Sequence, residues 1–102
     1  MSDKKLINVV LAADGDEVIA QGSDLIGPSR SIGHCTMQFS SDGTFEVILE
    51  GRVVNREAEN NWDEIGTYSD SDDSKIVILL VSLGCEYRAR LLSGSVRVLM
   101  TA

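Results

Sequence analysis

The segment Cys85-Glu86-Tyr87-Arg88-Ala89-Arg90-Leu91 alternates strictly, with Cys85, Tyr87, Ala89 and Leu91 on one side and Glu86, Arg88 and Arg90 on the other. A period of two places successive side chains on opposite faces of an extended chain, so this stretch predicts a strand with one buried and one wetted face. A strand of that kind needs an antiparallel sheet to lie in and a second layer to cover its apolar face. The rest of the chain supplies more of the same pattern. Cys35, Met37 and Phe39 alternate with His34, Thr36 and Gln38, and Phe45, Val47 and Leu49 face inward against Thr44, Glu46 and Glu50. Val96, Val98 and Met100 alternate with Arg97. Lys75 to Val81 is a β-branched apolar strand.

Between these runs stand turn signals: Asp14-Gly15-Asp16, Ser40-Ser41-Asp42-Gly43, Ser82-Leu83-Gly84 and Ser93-Gly94. The first returns Leu6 to Ala13 into Glu17 to Gln21 and predicts a hairpin. Leu6 to Ala13 has no clear alternation, which fits either a strand covered on both faces or an arm against a neighbouring subunit. Gly22 to Ser31, with Pro28 and the apolar pair Leu25-Ile26, reads as a loop with a small anchor. Gly51 to Asn61 reads as a charged loop with room for a short helical turn through Asn55 to Glu59. Trp62, Ile65 and Tyr68 follow as apolar anchors. Strands at spacings of about 8–12 residues without a three-turn helix predict an all-β fold. We expect an antiparallel β-sandwich of seven or eight strands, jelly-roll or immunoglobulin-like. The order Cys35, Trp62, Cys85 suggests the immunoglobulin form, but Tyr87 follows the second cysteine where that fold's corner tyrosine precedes it.

The chain of 102 residues fits one domain, residues 1–102, with 1–13 as an arm or edge strand. Charge limits its partners. A net charge of −7 repels polyanions at long range and disfavours nucleic acid. No run approaches the ~18 apolar residues of a membrane span, so no membrane partner is expected. Lys4-Lys5 and the apolar run after them imitate a secretory signal, but the run contains Asn8 and is cut short by Asp14 to Glu17, so no signal peptide is expected. Cys35 and Cys85 are too far apart for a CxxC site; both fall on the apolar side of strands, as free buried thiols or, alternatively, as a disulfide.

Nothing assembles a reaction centre. Asp14/Asp16/Glu17 and Asp70/Asp72/Asp73 carry enough oxygens for calcium but lack EF-hand spacing, and read as solvated turns. His34 has no base or nucleophile partner on its strand face. GxSxG, HExxH and phosphate-loop patterns do not occur. We therefore expect no catalytic residue, no metal and no cofactor, and not an enzyme. Arg88, Arg90 and Arg97 form either a cross-strand ion-paired face with Glu86, Glu46 and Glu50, or a docking stripe for an acidic partner. Trp62 reads as core, with a sugar-stacking platform as the alternative.

Four short motifs, Leu49-Glu50-Gly51-Arg52, Asn61-Trp62-Asp63-Glu64-Ile65-Gly66-Thr67, Tyr87-Arg88-Ala89-Arg90 and Ser93-Gly94-Ser95-Val96-Arg97-Val98-Leu99, resemble a pattern in small β-sandwich proteins of tailed-bacteriophage virions. The pattern they mark out runs from Leu49 to Leu99, about half the chain. The resemblance implies a non-enzymatic structural role, foremost a capsid decoration (cement) protein that bridges major capsid subunits. It also implies a virion location on the capsid surface after synthesis in the host cytoplasm, with homo-oligomers, trimers in particular. Partner contacts are then expected from Leu6, Ile7, Val9 and Ile48 as surplus apolar groups, and from Arg52, Arg56, Arg88, Arg90 and Arg97. A carbohydrate- or receptor-binding module of a tail or fibre is the alternative function. The loop from Arg52 to Trp62 is longer and more charged than in the pattern, and Leu6 to Ala13 has no counterpart in it.

Overall fold

The computed structural model describes residues 7–27, 31–54 and 61–101. Eight strands and one helical turn follow in order: β1 Ile7–Leu11, β2 Glu17–Gln21, α1 Gly22–Ile26, β3 Ile32–Ser40, β4 Phe45–Val53, β5 Asp63–Ser69, β6 Ile76–Ser82, β7 Cys85–Gly94 and β8 Val96–Thr101. They form two antiparallel four-stranded sheets with the orders β1-β8-β3-β6 and β2-β7-β4-β5. Every connection crosses from one sheet to the other except β4 to β5. This β-sandwich has the strand order of a jelly roll, not that of an immunoglobulin domain.

The period-two segments behave as their pattern requires. Cys35, Met37, Phe39, Val47, Leu49, Ala89, Leu91, Val98 and Met100 are buried between the sheets. Phe39 joins the layers: its ring lies 5.2 Å from Tyr68 in a stacked arrangement and 6.5 Å from Phe45. Cys35 and Cys85 lie in opposite sheets and are free thiols, and burial raises the Cys35 pKa.

The expected first hairpin does not form. β1 pairs with β8, at Ile7↔Met100, whereas β2 pairs with β7, at Glu17↔Arg90. The turn between them carries the chain from one sheet to the other. Gly15 takes φ +91, the Gly15 N–H donates to Leu91 O, and the Leu91 N–H donates to Asp16 O. A tight turn dictates reversal of direction but leaves open which strand receives the returning chain. β1 does alternate: Ile7 and Val9 pack against the core while Val10 is exposed. Leu6 lies outside the described residues, as do Arg56 and the segment 55–60.

Two anchors sit differently from expectation. Leu25 and Ile26 are buried as expected, but on a helical turn rather than a loop, and the Gln21 N–H donates to Asp24 Oδ2 in a capping box. Ile65 is not a core anchor. The β4–β5 register runs Leu49↔Gly66 and then Glu50↔Glu64, so Ile65 is the extra residue of a β-bulge. It packs at the sandwich margin instead, where a Cβ on Gly51 would stand 3.1 Å from Ile65 Cδ1 and 3.3 Å from the Tyr87 ring.

Candidate functional site

The outer face of the β2-β7-β4-β5 sheet collects charges from strands remote in sequence. Register sets Arg88 between Glu50 and Ile19, Glu86 between Arg52 and Gln21, and Arg90 between Ile48 and Glu17. Each outward position of β7 therefore meets an outward position of β4 and one of β2. Glu50 Oε1 accepts hydrogen bonds from Arg88 Nη2 at 2.8 Å, Arg88 Nε at 3.0 Å and Arg90 Nε at 3.3 Å. Arg88 Nη1 also donates to Glu17 Oε2 at 3.3 Å. Glu86 accepts from Arg52 Nε at 2.5 Å and from Gln21 Nε2 at 2.7 Å. The Arg52 hydrogen bond, with that of Gln21, holds the Glu86 carboxyl below the usual carboxylate range.

Trp62 is part of this face rather than of the core. The Arg52 and Arg88 guanidinium carbons lie 4.3 and 4.5 Å from its ring centroid. The half-buried indole thus takes its cover from two cations, a favourable contact with the ring quadrupole. A tryptophan followed by Ile65 and Tyr68 reads as core because the bulge and the two arginines cannot be seen from its own segment.

Of the arginines expected on one face, Arg88 and Arg90 share it and Arg52 joins them. Arg97 does not, because β8 belongs to the other sheet; its Nη1 donates to Asn8 Oδ1 at 2.7 Å. Ile48 is half-buried on the charged face, opposite Arg90. Glu46 lies opposite Ser93 beside a bulge. Glu17 and Gln21 were missed by sequence reasoning, although both hold outward positions of β2.

The acidic turns do structural work. Asp16 Oδ2 accepts the Ala12 and Ala13 N–H groups at 3.0 and 2.9 Å, and these bonds lower its pKa. Asp70 Oδ1 accepts the Phe45 N–H at 3.0 Å, and Asp72 Oδ2 accepts the Ser69 N–H at 2.8 Å. Among the described residues no group of three His, Cys, Asp or Glu is placed to hold a metal ion. His34 is exposed on the β1-β8-β3-β6 sheet opposite Leu80.

A second surface is mainly apolar and meets the charged face at Arg52. On β6, Ile76, Ile78 and Leu80 are 56, 71 and 56% exposed. An open cleft of about 590 Å³ lies between this strand and the ends of β4 and β5, lined by Val53, Ile65, Ile78, Leu80 and Tyr87 among others. An apolar run is expected to be buried on both faces; here β6 is an edge strand with only its inner face covered. Comparison of the chain with protein-family models, with curated proteins and with solved structures finds no match.

Proposed function

We propose that this protein is a non-enzymatic structural component of a tailed-phage virion, a decoration protein that attaches to major capsid subunits and strengthens the shell. The observation that carries this reading is the division of its surface. Charged groups on one sheet are tied to one another within the chain, while the opposite sheet ends in an exposed apolar strand beside a cleft that is apolar except where Arg52 and Asp63 border it. Exposed apolar area concentrated on one side of a small domain suits a body that works by contact. Fold analogy points the same way, since jelly rolls build viral capsid domains, though they also build lectins.

The carbohydrate-binding alternative has weaker support. Two guanidinium groups lie over the Trp62 ring, and Tyr68 is stacked on Phe39, so neither aromatic offers an unencumbered platform. The test is addition of the purified protein to undecorated capsids. Binding with a rise in capsid thermal or mechanical stability supports the decoration role; no binding and no stabilisation removes it.

A further inference from the structure

We propose that β6 joins two copies of this chain, edge to edge and antiparallel about a two-fold axis, into one continuous eight-stranded sheet.

The phase of the β3–β6 ladder decides which backbone groups are on offer. The Phe39 N–H donates to Lys75 O at 3.0 Å, which makes Phe39 and Lys75 a hydrogen-bonded pair. Alternate residues follow suit, so Val77, Leu79 and Val81 turn their N–H and C=O groups toward Met37, Cys35 and Gly33. The backbone groups of Ile76, Ile78 and Leu80 then point to the free edge. The same three residues expose their side chains on the outer face.

This edge is complementary to itself. With the two-fold axis at Ile78, Ile78 meets its own copy and Ile76 of one copy meets Leu80 of the other, each in a position to exchange backbone hydrogen bonds. On the inner face Val77 meets Leu79. Lys75, the nearest charge, meets Val81, so no like charges oppose one another. Elsewhere the net charge of −7 makes two copies repel, whereas Ile76 to Ser82 carries no ionisable side chain.

The other edges are guarded. β5 has the bulge at Ile65 and the carboxylates Asp63 and Glu64; β2 begins with Glu17 and runs directly into α1; β1 has five residues, with Asn8 bonded to Arg97. Bulges, charges and shortness are the devices that block edge pairing, and β6 has none of them. Large exposed apolar side chains also gather here. Of the ten among the described residues, seven lie on β6, the facing end of β3, the β6–β7 turn or the cleft wall, Val54 is hydrogen-bonded to that turn at Gly84, and only Val10 and Ile19 lie away.

The two-fold pair rests on the geometry of β6 and not on the virion reading, and it differs from the three-fold assembly which that reading implies. Sedimentation and light scattering of the full chain from low to high micromolar concentration should give twice the 11.1 kDa chain mass. Ile78→Lys places two cations at the axis and should give the single-chain mass with unchanged circular dichroism, because the site is exposed. Val10→Lys on β1 should leave the pair intact. Should Ile78→Lys not fold, Ile78→Thr should weaken association by about tenfold, a loss of about 1.4 kcal/mol. Hydrogen exchange at the Ile78 and Leu80 amides should slow as concentration rises. A single-chain or trimer mass for the wild type, a pair that survives Ile78→Lys, or one that Val10→Lys abolishes overturns the proposal. A monomer that binds capsids only with Ile78 intact also overturns it, and leaves the decoration role standing with a capsid segment at this edge.

Discussion

Glu50 and Arg88 face each other across the β4–β7 ladder, and one oxygen of the carboxylate, Oε1, accepts from both Nη2 and Nε of the guanidinium. Glu50 is only 6% exposed, and its Oε1 is hydrogen-bonded by that partner and by Arg90. Arg88→Ala strips the stronger partner from a buried carboxylate and will cost about 3 kcal/mol in urea unfolding at neutral pH. The double variant Glu50→Gln/Arg88→Met removes both charges and will recover much of that loss. Equal losses in the single and double variants would show that the pair's charge is not what matters.

Glu86 makes stability depend on pH. Its carboxyl titrates lower when folded than when unfolded, so the unfolded chain takes up a proton first as pH falls. The contribution is therefore complete above the ordinary carboxylate range and is lost as pH drops through the depressed folded value. Glu86→Gln will be less stable than wild type by about 1 kcal/mol at neutral pH, and the gap will close only in acid. Asp16 shifts in the same direction but is present in both proteins, so the difference curve isolates Glu86. A gap that stays constant into strong acid contradicts the assignment.

Trp62 and Phe39 test where the core ends. Phe39→Ala opens a cavity between the sheets and will cost about 3–5 kcal/mol. Trp62→Ala loses the contacts with Arg52 and Arg88 and will cost about 1–2 kcal/mol, leaving a folded protein. Denaturant titration followed by circular dichroism ranks the two; comparable losses would return Trp62 to the core.

Gly94 and Gly43 both stand beside β4, yet they will respond oppositely to alanine. Gly94 has φ +79, and a Cβ there would lie 2.0 Å from Thr44 O, so Gly94→Ala will cost about 2 kcal/mol or more. Gly43 has ordinary φ and open space, so Gly43→Ala will be neutral to about 0.5 kcal/mol stabilising. Thermal unfolding of the two variants decides.

Strands β3, β4, β7 and β8 were legible because each has one face in the core and one in water, which writes alternation directly into the residues. The pairing of strands was not. Asp14-Gly15-Asp16 encodes a reversal but not the sheet into which the chain returns, and α1 is too short to show a helical period. Alternation also brought Arg88 and Arg90 onto one face correctly, whereas Arg97, one strand later, went to the other sheet because a turn at Ser93-Gly94 cannot tell a hairpin from a crossover. Trp62 was misread because what covers it comes from Arg52 and Arg88 on other strands. Apolar residues on both faces of Ile76 to Val81 signal burial of both, and nothing local records that this strand ends a sheet.

The place of β8 governs how the chain can be made. It lies between β1 and β3, and among the described residues β1 has no other strand partner. Until residues 96–101 leave the ribosome, β1 has no partner among the described strands, and the sheet that holds both ends of the described chain stays open. Closure of this sheet therefore waits until β8 has been made. Mutations in β8 will reduce the yield of folded protein by more than their effect on the finished fold suggests, because during that wait β1 and β3 present unpaired edges to other nascent chains.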